Sequence, residues 1–195
     1  YSHLYATDFN EVKELIDKFS EIVLFLGKEK FQMIHIQNSV GILFYGAQDF
    51  MTHMRSGIFI YGLQEEGFFH EGLKQVFQFK GKVAGVRDIE ESKYLAYTSK
   101  EDLSNEDYKN IVKIKIGYGD GFLKCNENSM CTINKKTYKI LSVTMDNTFI
   151  AGDDSISEGD EVILYPDINL IRNNTEMHIC EVLPLINDRI ERVLK

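Results

Sequence analysis

Hydrophobic positions follow a helical period near the start of the chain and fall into short extended runs after Val76. Asp8 with Glu11 reads as an N-cap and capping box, and Val12, Leu15, Ile16, Phe19, Ile22, Val23 and Leu26 then recur at helical spacing. Gly27 is the expected stop. Phe31–Ile36 reads as a short apolar strand, Asn38 as the cap of a second helix through Leu43 and Phe44, and Gly57–Tyr61 as another strand. Strand, helix and strand in this order predict parallel βα units, too few for a closed eight-stranded barrel. From Val76 the texture changes. Val76–Ile89, Tyr94–Thr98, Ile111–Ile116, Tyr138–Met145, Glu161–Tyr165 and Met177–Leu183 are β-branched extended segments, which predict an antiparallel sandwich or barrel. Lys100–Asn110 is polar and reads as a loop, and Pro184 precedes a short final helix, Leu185–Leu194.

Composition narrows the function more than the fold. The 195 residues are 44% hydrophobic, enough for a real core, and the net charge of −8 argues against a nucleic-acid or anionic-membrane partner. No apolar run approaches the roughly 20 residues of a transmembrane helix. Residue 1 is Tyr1, so the numbering is expected to begin inside a longer protein. Cys125, Cys131 and Cys180 form no C-x-x-C pair, which fits buried thiols in a reducing cytoplasm. His178-x-Cys180 on one face of a strand, with Cys125 and Cys131, matches no established zinc spacing, so no metal site is expected. Asp153-Asp154 and Glu158-Gly159-Asp160-Glu161 lack the calcium-loop spacing and read as solvated turns.

The chemistry centres on Ile114–Phe122, a β-branched run entering a turn that holds Gly117, Gly119 and Gly121. The glycines allow close backbone approach and could fix Tyr118 as an anchor or as a general acid/base, with Asp120 locking the turn. Locally, a packed tyrosine in a glycine-rich turn is the ordinary reading. The same holds elsewhere: His3 alone reads as structural, Arg55 as a salt-bridged residue, and Met145-Asp146 as a core methionine beside a turn aspartate. Asn38 and Ser39 could cap a helix or offer donors to an anion.

Taken together, these stretches resemble the PLP-dependent alanine racemase family. Ile116-Gly117-Tyr118-Gly119-Asp120-Gly121 is similar to its Ile-Gly-Tyr-Ala-Asp-Gly signature, with Gly119 for alanine. Ser2–Asp8 resembles Thr-His-Phe-Ala-Thr-Ala-Asp, His35–Ser39 resembles His-Ala-Ala-Asn-Ser, and Met54–Leu63 resembles Val-Arg-x-Gly-Ile-x-x-Tyr-Gly-Leu. Val143–Asn147 is similar to Val-x-Met-Asp-Gln. The resemblance implies that Tyr118 is one of two catalytic bases and that His35 links it to Arg55. It places Arg55 against the pyridine nitrogen of pyridoxal 5'-phosphate, His3 beside the ring, and Ser39, Gly57 and Ile58 at the phosphate. Met145 and Asp146 would meet the substrate. A neutral phenol cannot accept the Cα proton, so the His35–Arg55 chain is expected to supply positive charge.

The resemblance covers only the second half of such an enzyme. The Lys-Ala-x-Ala-Tyr-Gly motif, with the Schiff-base lysine, does not occur. Asp188 in Ile186–Arg192 stands where the family's Ile-Ser-Tyr-Arg-Val-x-Arg has its tyrosine, which predicts a larger, more polar pocket and a preference for serine or another polar amino acid over alanine. The resemblance therefore implies residues 1–77 as the last βα units of a PLP-binding TIM-type barrel and 78–195 as the C-terminal β domain. It implies the C-terminal part of an alanine or serine racemase, inactive by itself and cytoplasmic. The complete enzyme would be a homodimer whose subunits share active sites around a small amino-acid substrate. The alternative is a catalytically inactive racemase-like β domain that acts as a dimerisation module.

Overall fold

The computed structural model describes residues 1–5, 8–64, 68–91, 94–96, 98–99, 108–168 and 177–194. They divide into two compact units, Tyr1–Val76 and Phe77–Lys195.

In the first unit, helix α1 (Phe9–Leu26) begins at Asp8, whose carboxylate accepts the Glu11 N–H at 2.9 Å. It ends at Gly27, whose φ of 90° turns the chain and whose N–H donates to Val23 and Leu24 carbonyls. Val12 and Ile16 pack with Leu4, Ile36, Val40 and Phe68 into a small core, whereas Ile22 and Leu26 of the same periodic stripe are exposed. Helix α2 (Ser39–Tyr45) follows Asn38, whose Oδ1 accepts the Gly41 N–H.

Neither expected strand of this unit forms a ladder. Phe31–Ile36 makes isolated bonds instead: Ile34 N–H donates to Thr52 Oγ1 at 2.7 Å, Ile34 O accepts from Thr52 and His53, and His35 O accepts from Ser2. Gly57–Tyr61 departs further, because Ile58–Tyr61 is a 3-10 turn. With no neighbouring strand among the described residues to receive its backbone, this short run satisfies itself locally, Ile60 N–H donating to Gly57 O and Gly62 N–H to Phe59 O.

The second unit is a closed, six-stranded antiparallel barrel. Its strands are β1 (Lys80–Asp88), β4 (Asn110–Ile114), β5 (Met130–Ile133), β6 (Lys136–Val143), β7 (Thr148–Gly152) and β8 (Glu161–Ile163). Around the barrel they run β1-β4-β7-β6-β5-β8, and β8 pairs back onto β1. Val83, Val112, Ile114, Ile133, Ile140, Ile150 and Val162 are buried, and closure leaves no free edge among these strands. β2 (Tyr94–Leu95) and β3 (Thr98–Ser99) form a separate two-stranded sheet. Residues 100–107 of the expected polar loop lie outside the described residues.

Two expectations near the C-terminus are corrected. Met177–Leu183 is not extended: helix α3 (Ile179–Leu185) occupies it, capped by His178, whose Nδ1 accepts the Cys180 N–H. Ile179 and Val182, one helical turn apart, supply its buried side. Leu185–Leu194 is correspondingly not a helix. After Pro184 the chain turns through Asn187, whose carbonyl accepts the Ile190 N–H.

Candidate functional site

In the first unit the candidate residues gather on Arg55. Its backbone N–H donates to Gln37 O at 3.1 Å, which fixes the start of the side chain beside His35–Gln37. Nη1 contacts His35 Nδ1, while Nη2 reaches His3 Nδ1 at 3.1 Å and the carbonyls of Ser2 and Ile36 at 3.0 and 3.3 Å. A guanidinium has only donors, so each imidazole offers Nδ1 as acceptor and carries its proton on Nε2. Burial pushes the His35 pKa below its ordinary value, and the adjacent Arg55 charge pushes it the same way. The Tyr1 ring stacks on His35 with centroids 5.3 Å apart. Ser39, buried at the head of α2, accepts the Gly57 N–H on Oγ at 3.1 Å, and Gly57 leads into the Ile58–Tyr61 turn, which has no side-chain cap.

These residues form a donor-rich set: one permanent cation, a hydroxyl and the backbone N–H groups that open a 3-10 turn. Such a set fits a group with an acceptor ring nitrogen and an anionic substituent.

In the second unit the Ile114–Phe122 stretch leaves β4 and coils into a single 3-10 turn, Tyr118–Asp120. Gly117 N–H donates to Asp120 Oδ2 at 3.0 Å, so the aspartate closes the turn on itself. Tyr118 N–H donates to Thr144 O at 3.0 Å and Gly119 N–H to Met145 O at 2.9 Å, so the tyrosine stands beside the 144–147 loop. A Cβ on Gly117 would lie 2.1 Å from Thr144 O, which explains the glycine. Tyr118 is 41% exposed, and Met145 is likewise exposed.

The partner that sequence reasoning missed is Arg189. Its Nε and Nη2 donate to Asp120 Oδ1 at 3.0 and 2.6 Å, and Nη2 also reaches Asp146 Oδ1 at 3.3 Å. The pairing with Asp120 holds the guanidinium pKa above its ordinary value. Asp188, at the position of the expected tyrosine, faces solvent and pairs with Arg192 at 3.3 Å. Tyr118, Met145, Asp146 and Asp120 thus meet in one unit, and His3, His35, Arg55, Ser39, Gly57 and Ile58 belong to the other.

His178 and Cys180 belong to a helix start rather than a strand face, and Cys125 Sγ lies 3.0 Å from Met177 Sδ. Cys131 is sealed in the barrel, where burial pushes its thiol up to about 12. Among the described residues, no three His, Cys, Asp or Glu side chains gather as a metal site, and no helix is long and apolar enough to cross a membrane.

Residues 76–194 match the family model described as alanine racemase, C-terminal domain. Alanine racemase 2 of Staphylococcus aureus (strain COL) is 31% identical over 165 residues, covering 82% of this chain and 45% of that relative. The crystal structure of the Bacillus anthracis alanine racemase with bound L-Ala-P superposes with a TM-score of 0.75 at 22% identity, over 96% of this chain and 52% of that one. That of the Bartonella henselae alanine racemase with covalently bound pyridoxal phosphate gives 0.71 at 21% identity, over 98% and 52%. The chain spans about half the length of the relatives it matches.

Proposed function

The chain belongs to the alanine racemase family, and from that premise we propose that it serves as the C-terminal part of a pyridoxal-phosphate-dependent racemase of a small amino acid, alanine or serine. In this reading the first unit is the end of a TIM-type barrel. The observation that carries the proposal is the turn around Tyr118, whose flanking N–H groups are pinned to Thr144 and Met145 while its side chain stays accessible. A main chain held this way fixes the point from which the Tyr118 side chain reaches out.

Arg55, His3, Ser39, Gly57 and Ile58 would hold the cofactor, which supplies the electron sink for breaking the Cα–H bond of an amino acid. Arg55 would face the ring nitrogen as a donor that never gives up its proton. Ser39 Oγ and the Gly57 and Ile58 backbone would meet the phosphate. Tyr118 would move the Cα proton on one face of the substrate, with His35 relaying the charge of Arg55 toward it. Met145 and Asp146 would border the substrate's path. The second base would come from the lysine motif outside this sequence. Tyr118, Met145 and Asp146 of one subunit would act on the cofactor of a second copy, within a homodimer.

The preference for serine rests on Asp188. It is fully exposed and paired with Arg192, so it supports a site that no phenol narrows at this position. The test is α-proton exchange in deuterated solvent. L-alanine and L-serine are each offered with pyridoxal phosphate to this chain and to the complete natural polypeptide. Exchange by the complete polypeptide alone is the expected result, with serine the faster. No exchange by either would overturn the racemase reading in favour of a β-domain interaction module.

A further inference from the structure

Arg189 joins the tyrosine turn, through Asp120, to the 144–147 loop, through Asp146. Asp120 is 6% exposed and spends one oxygen on the Gly117 N–H, while its other oxygen takes two donors from Arg189. The backbone repeats the link, since Asn187 N–H donates to Asp120 O at 3.0 Å. Nη2 then extends to Asp146, in the loop whose Met145 carbonyl holds Gly119. Both residues flanking Tyr118 are therefore fastened through this network, Gly117 by Asp120 and Gly119 by the 144–147 loop.

Gly119 gives the arrangement room. A Cβ there would lie 3.0 Å from Arg189 Nη2 and 3.0 Å from Met145 O, tighter than ordinary packing. A bare backbone at 119 lets the guanidinium come in over the turn and reach two carboxylates at once. Planar, multi-donor geometry is the property that distinguishes arginine from lysine in such a place.

We propose that Arg189 is a positioning residue for Tyr118: by bridging Asp120 and Asp146 across the bare Gly119, it holds the tyrosine turn and the 144–147 loop in one register. The geometry stands by itself, and its catalytic consequence rests on the racemase reading. Arg189 takes no proton and touches no reacting atom. It sets the direction from which the phenol of Tyr118 approaches.

Fluorine NMR of the chain carrying 3-fluorotyrosine tests the geometry without any turnover. The Tyr118 resonance is identified by its loss in Tyr118→Phe. Arg189→Gln is expected to shift and broaden that resonance while the other tyrosines keep theirs, and Arg189→Lys, reaching one carboxylate at a time, is expected to fall between. Should Arg189→Gln disperse all the tyrosine signals, Gly119→Ala, which crowds the guanidinium and the Met145 carbonyl but keeps every charge, is expected to move the Tyr118 resonance selectively. A folded Arg189→Gln or Gly119→Ala protein with an unmoved Tyr118 resonance overturns the proposal. In the complete polypeptide, Arg189→Gln is expected to lower kcat for exchange by about a hundredfold with KM little changed, as a misplaced reacting group would. Equal kcat overturns the catalytic role. No exchange by the unsubstituted polypeptide overturns the racemase reading instead, and the fluorine result still decides the clamp.

Discussion

Around Arg55 polar side chains hold one another, whereas around Tyr118 the backbone does most of the holding. In the first unit, Arg55 gathers His35 and His3 through hydrogen bonds, and no ladder forms among the described residues. Its helix α1 leaves Phe25 89% exposed. In the second unit, the tyrosine turn hangs from a closed barrel by main-chain bonds to residues 144, 145 and 187. The contrast has a physical consequence. A site held by imidazoles and a guanidinium responds to protons, while one held by packed main chain responds to steric change.

The largest effect is expected from Gly121→Ala. Gly121 has a φ of 96°, and an added Cβ would lie 2.0 Å from Leu185 O. A main-chain carbonyl cannot step aside as a flexible side chain can. The left-handed conformation and the clash together should cost about 3 kcal/mol or more, among the larger single-residue losses. Urea unfolding of the barrel should show it, and a loss under about 1 kcal/mol would mean that the turn can move as a body.

A smaller loss is expected in the first unit from Asp8→Ala, which removes the acceptor for the Glu11 N–H. Such caps are worth about 1 kcal/mol. The urea midpoint followed by helical circular dichroism should fall accordingly, with the barrel unaffected. A matching loss in the barrel would show that the two units unfold together.

What could be read in advance follows the same division. The α1 periodicity, its Asp8 cap and its Gly27 stop are local signals, and the structure contains each of them. The β-branched runs of β1, β4, β6 and β8 were equally legible. β5 escaped because it is short and joins β6 through Asn134 and Lys135, both at positive φ, with no glycine to advertise a two-residue hairpin. β7 was passed over between an Asp146-Asn147 turn and an acidic stretch. Gly57–Tyr61 looked like a strand because apolar composition does not reveal whether a neighbouring strand exists to pair with it. His178 was read on a strand face, and it caps a helix, because its one-turn-spaced buried partners Ile179 and Val182 were hidden in a β-branched run. In the site, the glycine spacing announced a tight turn and suggested Asp120 as its lock. The pairing of Arg189 with Asp120 spans 69 positions and has no local signature. Resemblance marked that segment through Asp188, next to the arginine that makes the contact.

The finest distinction between the units should appear on mild acidification. His35 has its pKa pushed below 6.5, first by burial and next by the Arg55 charge, with His53 adding to it. Between that lowered value and 6.5 the unfolded chain binds a proton that the folded imidazole refuses, so stability falls as pH falls. Above 6.5 both states are neutral at this position and His35 contributes no slope. Acid should therefore loosen the first unit progressively below about pH 6.5, with the Arg55–His35 contact yielding because two cations would then face each other. His35→Gln keeps a polar side chain at the position without a titrating ring, and the urea midpoint of the first unit should then change less between neutral and mildly acidic buffer. An unchanged acid slope in His35→Gln would place the responsible proton elsewhere and weaken the claim that the Arg55 cluster is the proton-sensitive part of the molecule.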